Sequence, residues 1–316
     1  MAPHRPPTVS PRRAAAATAN AMLPSPRKAQ HIVRISRVVS DLNRAESFYR
    51  DMLGFRAVAA GALDAGTLRA FDLGEVGAEE VVMRLGAEEI ALVKFTAPCR
   101  PYPPNSRSAD LWFQHLAIVV SDMNAAYAHL CSSREWRPIS EGGPQLLPPS
   151  NGAVRAFKFR DPDGHPLELL WFPPGRGRPI WRERLSDTPF LGIDHSAVAV
   201  ASTRRSVSFY EALGFQVTDQ SLNRGPAQSC LDALPGARVR VTGLRPELAA
   251  GPGLELLAYR PSGRTAALTG LNDCATDWVT LAVNSMPGSM SRAVQDPDRH
   301  RLVLVDQGGG VTGLPA

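Results

Sequence analysis

The chain has 316 residues, 44% hydrophobic and 21% charged, an ordinary globular profile long enough for about two domains. Its formal net charge of +5 does not mark a nucleic-acid binder: residues 1–30 hold Arg5, Arg12, Arg13, Arg27 and Lys28 and no acid, leaving 30 basic and 30 acidic residues in the rest. A duplex-binding domain carries its excess of Lys and Arg on the folded body, and no apolar run here is long enough to span a bilayer.

Residues 1–30, rich in Pro, Ala, Ser and Arg, read as a disordered basic tail. Arg12-Arg13 followed by Ala14–Ala17 and Ala19-Asn20-Ala21 imitates an export signal or an overextended start. A signal needs roughly 7–15 strongly apolar residues, which this stretch lacks, so a cytoplasmic location is expected. Cys99, Cys131, Cys230 and Cys274 are far apart and form no C-x-x-C pair. That spacing argues against a structural zinc site; isolated thiols are the simpler reading, and disulfides are the alternative in an oxidising compartment.

Behind the tail the chain repeats itself. Arg34–Asp41, His115–Asp122 and His195–Ser202 are strand-like runs with starts about 80 residues apart. Asp41 and Asp122 are placed to cap helices. The first helix carries the apolar stripe Leu42, Ala45, Phe48, Tyr49 and Met52, and the second Met123, Ala126, Tyr127 and Leu130. Phe48-Tyr49 with Gly54-Phe55 returns as Phe209-Tyr210 with Gly214-Phe215, and both glycines are set to end a helix. Strands are predicted over Val81–Leu85, Ile90–Phe95, Ala156–Phe159 and Leu167–Phe172, the last two across the turn Asp161-Pro162-Asp163-Gly164-His165. That turn returns as Asp296-Pro297-Asp298-Arg299-His300. Phe48 to Asp161 is 113 residues and Phe209 to Asp296 only 87, so the second half is shortened by 26.

A β-α-β-β-β unit with His-x-Ala-x-x-Val-x-Asp on its first strand, Phe-Tyr-x-x-x-Leu-Gly-Phe at its helix end and Asp-Pro-Asp-Gly-His-x-x-Glu-Leu at its last hairpin resembles the vicinal oxygen chelate superfamily, which includes glyoxalase I, bleomycin-resistance proteins and extradiol dioxygenases. The resemblance covers about residues 31–306. It implies an α+β fold of tandem βαβββ modules, at 31–95, 112–172, 192–260 and, truncated, 277–307, paired into curved eight-stranded mixed sheets. It also implies a cavity holding one divalent metal ion, such as Fe, Zn, Ni or Mn.

In that superfamily the ligands come from the start of the first strand and the middle of the last. The first-strand positions here are Arg34, His115, His195 and, by a weaker alignment, Thr280; the last-strand positions are Ala91, Glu168, Glu255 and Val303. Only modules two and three keep a His and a Glu. Pairing of consecutive modules would leave one His and one Glu per cavity, whereas pairing of the inner two would gather His115, Glu168, His195 and Glu255 for a transition metal. Both pairings are open. On its strand each histidine shares a face with small residues, Ala117 beside His115 and Ala197 beside His195. The competing reading puts Glu168 and Glu255 on the wet face of an antiparallel sheet.

The stretch Ser221–Gln228 resembles a recurring Asn-x-Gly-x-Glu-Gln segment of relatives, with Ala227 in place of the Glu, making Asn223 and Gln228 candidate substrate-binding residues; a plain Gly-Pro turn is the alternative. Gly142–Gln145 and Pro148–Gly152 are candidate rim loops. His165 and His300, in turns expected to be exposed, and His4, His31 and His129 read as structural. The resemblance implies a glyoxalase-type lyase or isomerase acting on a small oxygenated substrate through a metal-stabilised enediolate, with Glu168 or Glu255 moving the proton. An Fe(II) extradiol-type dioxygenase and a metal-free ligand-sequestering protein are its alternatives. The shortened fourth module leaves sheet edges that a homodimer would cover.

Overall fold

A computed structural model describes residues 28–73, 76–246, 251–264, 270–284 and 291–306. The tail expected over residues 1–30 therefore falls, up to residue 27, outside the described residues. Each of the four units opens with a largely buried strand. The first unit comprises β1 (Ala29–Val38), α1 (Leu42–Leu53), β2 (Arg56–Ala62), α2 (Ala65–Ala70), β3 (Ala78–Leu85) and β4 (Glu88–Phe95). The second comprises β5 (Gln114–Val120), α3 (Met123–Leu130), β6 (Arg137–Pro138), β7 (Gln145–Leu146), β8 (Arg155–Arg160) and β9 (Pro166–Trp171). After the linking α4 (Pro179–Glu183), the third comprises β10 (Phe190–Ala199), α5 (Thr203–Ala212), β11 (Gln216–Arg224), α6 (Pro226–Asp232), β12 (Arg238–Arg245) and β13 (Gly253–Tyr259). The fourth keeps β14 (Asp277–Val283), β15 (Arg292–Gln295) and β16 (Arg301–Asp306), with no helix among the described residues.

The caps form as their residue types dictate. Asp41 accepts from the Arg44 amide, Asp122 from Asn124 and Ala125, and Ser202 from Arg205. Gly54 ends α1 in the left-handed region at φ 72°, where a side chain would be strained. The stripe of α1 buries Ala45, Phe48, Tyr49 and Leu53, at about 1.5–3 kcal/mol for each fully buried large side chain. α1, α3 and α5 all feed one continuous core that includes residues of both sheets.

Strand order decides the pairing of the units. One sheet runs β15-β16-β14-β1-β4-β3-β2, and the other β11-β12-β13-β10-β5-β9-β8-β6, with β7 also on β8. The first and fourth units thus share an outer sheet, and the second and third an inner one. The strand counts are seven and nine rather than eight and eight. The fourth unit supplies only three strands, while Pro138 and the Gly142-Gly143-Pro144 segment break the second strand of the second unit into β6 and β7. The outer sheet ends on the four-residue β15, against which α2 lies.

Helix and turn motifs hold the two lobes together across the sheet pairing. Tyr49 of the first unit donates its hydroxyl to Asp161 of the second at 3.1 Å, and Tyr210 of the third donates to Asp296 of the fourth at 3.2 Å. Asp161 also accepts from the amides of Asp163, Gly164 and His165. This clamping corrects the expectation that the turn histidines are exposed. His165 and His300 are 0% and 7% exposed, because Asp161 holds the His165 ring at 2.9 Å and His300 Nε2 lies 2.8 Å from the Ala199 carbonyl. Fully buried Arg37 completes the interface, donating to Tyr49 and to the Pro166 carbonyl at 3.0 Å each and pairing with Asp277 at 3.5 Å.

Candidate metal centre

The inner sheet places its histidines by register. In the antiparallel pair β5–β10, Ala197 lies opposite His115 and Ala117 opposite His195, so the imidazoles are diagonal neighbours on one face, with ring centres 5.6 Å apart. The parallel neighbours bring the acids: β9 sets Glu168 beside Ala117, and β13 sets Glu255 beside Ala197. Two half-sites of His, Ala and Glu are thereby related by a pseudo-twofold axis. The alanine methyls, both fully buried, are small enough to leave the carboxylates a path to the rings.

Glu168 Oε2 lies 3.0 Å from His115 Nε2 and 3.9 Å from His195 Nε2, and Glu255 Oε2 lies 3.4 Å from His195 Nε2. His115, Glu168 and His195 are buried and offer donor atoms that all lie within 4.8 Å of one another. Glu255 keeps a quarter of its side chain exposed, at the edge of the group. Both nitrogens of His115 and Nε2 of His195 lack a hydrogen-bond partner among the described residues. The 3.0 Å approach of Glu168 to His115 Nε2 is an ion-pair contact when the ring is protonated. Buried polar atoms rarely remain unpaired, and two imidazole nitrogens with a carboxylate suit a divalent transition metal with open positions. The residues present fit such an ion.

Their electrostatics divide the four groups. Burial brings His115 down to about 4, only partly opposed by Glu168, so its ring is neutral at pH 7. Glu168 resists burial because His115 and the Lys158 ammonium outweigh it, bringing its acidity to about 2. Burial pushes Glu255 up to about 7, against the pull of His195 and with the help of repulsion from Glu168 and Asp194. His195 is carried up to about 9, burial being overcome by Glu255 and Asp194.

Two supporting residues escaped the sequence reading. Asp194 holds His195 Nδ1 at 3.1 Å and is itself held by the Trp181 indole N–H at 2.9 Å. Alternation would put neighbours Asp194 and His195 on opposite faces, but a register irregularity between Ile193 and His195 turns Asp194 inward. The Asp-His dipeptide was the available signal. Lys158, opposite Glu168 on β8, is buried and donates to Asp232 at 2.7 Å; burial opposes its charge, but Asp232 raises its affinity for the proton.

These side chains line a cavity of about 590 Å³. Gln228, buried on α6, lies on its wall and donates to Asp232 at 2.6 Å, while its Oε1 is without a partner among the described residues. Asn223, also on the wall, accepts from Ser221 at 2.7 Å and from Asn151. Ser150, Asn151 and Gly152 contribute rim, but Gly142–Gln145 does not, because Gln145 folds back onto the Glu141 and Gly143 carbonyls. The Gly225-Pro226 pair starts α6, with Pro226 in its first turn. His129 sits on the surface against the Asp51 carbonyl at 2.8 Å, and His4 lies outside the described residues.

The outer lobe shows what the same scaffold looks like without these ligands. β1 pairs Ser36 with Trp278 and Arg34 with Thr280, so by the inner register the fourth-unit counterpart of the histidines is Trp278. The Thr280 alignment was two residues off, an error of register that keeps the same face. Arg34 turns to Glu80 and Glu89 at 3.5 and 3.8 Å. Trp278 packs with Ala91, Val303 and Phe95, and Phe71 beside α2 meets its ring edge-on at 5.4 Å. Among the described residues, this apolar cluster takes the place of the ligand group of the inner lobe.

No curated protein matches this sequence. Residues 30–169 match the family model described as Glyoxalase/Bleomycin resistance protein/Dioxygenase superfamily. Among solved structures, glyoxalase I from Zea mays is similar at 16% identity and TM-score 0.58, over 87% of this chain and 92% of that one. A Bacillus subtilis protein described as a "putative dioxygenase" is similar at 12% identity and TM-score 0.54, over 90% and 87%. At such identities the likeness is one of fold. No helix among the described residues is long and apolar enough to cross a membrane. Residues 30–169 thus belong, by their family model, to the Glyoxalase/Bleomycin resistance protein/Dioxygenase superfamily, and most of the chain shares the fold of glyoxalase I from Zea mays.

Proposed function

We propose that the inner lobe holds one divalent metal ion through His115, Glu168 and His195, with Glu255 at its edge, and catalyses a glyoxalase-type lyase or isomerase reaction on a small oxygenated substrate. The observation that carries this reading is the set of three buried donors within 4.8 Å, in which Nε2 of both histidines lacks a hydrogen-bond partner among the described residues. The metal, when bound, polarises adjacent substrate oxygens and stabilises negative charge that develops on them. Ionised Glu168 and neutral His115 serve as ligands. Glu255, brought to about 7 by burial, is matched to taking a proton from a substrate carbon and returning it to the neighbouring one near neutral pH. Asp194 keeps the His195 ring oriented, and Asn223 and Gln228 on the cavity wall are the candidate contacts to substrate.

One observation favours a second reading. Two histidines and one carboxylate are also the donor set of Fe(II) oxygenases, which supports ring-cleaving dioxygenation. Elemental analysis of the purified protein tests the shared premise: about one metal per chain is expected, with loss in His115→Ala and His195→Ala. Full occupancy in both variants would overturn the site. Turnover of an α-oxoaldehyde hemithioacetal without oxygen consumption supports the isomerase, and oxygen uptake with a catechol supports the dioxygenase.

A further inference from the structure

Cys99 and Cys274 are 175 residues apart in sequence, yet their sulfurs lie 2.9 Å from one another. The approach is built by the segments around them. The Arg100 amide and Nε donate to Asp273 Oδ1 at 3.1 and 3.0 Å, the Cys274 amide donates to the Arg100 carbonyl at 3.0 Å, and Asn272 donates to the Pro98 carbonyl at 2.8 Å. One segment leaves β4 and the other enters β14, the two strands that flank β1 in the outer sheet. Cys131, at the end of α3, and Cys230, in α6, lie in other parts of the fold.

We propose that Cys99 and Cys274 form a reversible disulfide, made by exchange with a small disulfide such as glutathione disulfide, that staples the first unit to the fourth. Cys99 is half-buried and reachable, whereas Cys274 is 1% exposed. The Cys99 thiolate attacks one sulfur of glutathione disulfide and expels a glutathione thiolate, leaving a mixed disulfide. Cys274 then gives up its proton, attacks the Cys99 sulfur and expels the second glutathione. The two protein thiols lose two electrons and two protons in all, and both appear on two molecules of reduced glutathione.

The benefit follows from topology. The outer sheet is assembled from the two ends of the chain, and the staple closes a loop containing the whole inner lobe, which restricts the unfolded state most strongly when the loop is long. It acts where the fold is thinnest, on a unit reduced to three strands without a helix among the described residues. The inference does not depend on the metal reading.

The test uses the full chain, equilibrated with glutathione disulfide or with a phosphine reductant, alkylated, and mapped by mass spectrometry without reduction. A Cys99–Cys274 linked peptide is expected, with a melting temperature higher by about 4 °C or more in the oxidised form. That gap should vanish in Cys99→Ser and persist in Cys131→Ser. Four alkylatable thiols after oxidation, linkage through another cysteine, or a gap that survives Cys99→Ser would overturn the proposal.

Discussion

Glu168 and Glu255 both aim a carboxylate oxygen at His195 Nε2, at 3.9 and 3.4 Å, yet the fold sends their acidities in opposite directions, to about 2 and about 7. Glu168 is flanked by His115 and Lys158, which outweigh its burial, whereas the burial that pushes Glu255 up is reinforced by repulsion from Glu168 and Asp194. Pseudosymmetric positions thereby acquire different chemistry.

Their substitutions should separate accordingly. Glu168→Gln is expected to abolish stoichiometric metal. Glu255→Gln should retain metal while lowering turnover about 10²–10⁴-fold, the usual worth of a general acid or base. Metal content and turnover measured on the same preparations check the division; equal metal loss in both variants would remove the proton-transfer role of Glu255.

Metal affinity should depend on pH. His195, carried up to about 9 by Glu255 and Asp194 against burial, must surrender its proton to ligate. Apparent affinity should therefore rise about tenfold per pH unit from pH 7 and flatten above 9. Competition against a chromophoric chelator measures the slope, and a flat profile would exclude His195 as a ligand.

Asp194→Asn should weaken metal binding about 10–100-fold without changing the ligands, since the carboxylate sets the ring orientation and its basicity. An unchanged circular-dichroism spectrum with reduced affinity is the expected pattern. Affinity equal to that of the parent would show that the Trp181–Asp194–His195 chain is only structural.

The clamp between lobes should govern stability. Asp161→Ala leaves the buried His165 and Tyr49 without their shared acceptor and should cost about 3–5 kcal/mol, against about 1 kcal/mol for Tyr49→Phe. Burial works against the His165 charge, but Asp161 and Asp277 outweigh it and raise its pKa above 6.5. Its contribution is thus complete below about 6.5 and is lost as pH rises through the folded value. Asp161 is buried too, yet His165 and Arg37 lower it below 3.8, so its contribution is present above that pH and lost as pH falls. Denaturant midpoints should peak between these limits, and His165→Asn should flatten the alkaline side.

Much of the scaffold was legible in the chain because its repeats are local: capped helices, glycine stops and Asp-Pro-Asp turns each depend on a few neighbouring residues. The helix stripe around Phe48 and Tyr49 and the strands flanking the Asp161 turn are of this kind. What was misread depended on distant partners. His165 was expected at the surface because nothing near it in sequence reveals that Arg37 and Asp277 close over it, and Asp194 was passed over because a bulge breaks the alternation that would point it away.

The motifs by themselves determined that this chain builds βαβββ units, that the second and third carry a His and a Glu apiece, and that the fourth is cut short. They could not determine which units share a sheet, because pairing is decided by hydrogen bonds between strands far apart in sequence. The tertiary structure decided it by setting β5 against β10 and β1 against β14. That choice gathers four ionisable groups in the inner lobe, where alanine methyls leave space, and packs buried Trp278 in an apolar cluster at the corresponding place of the outer lobe.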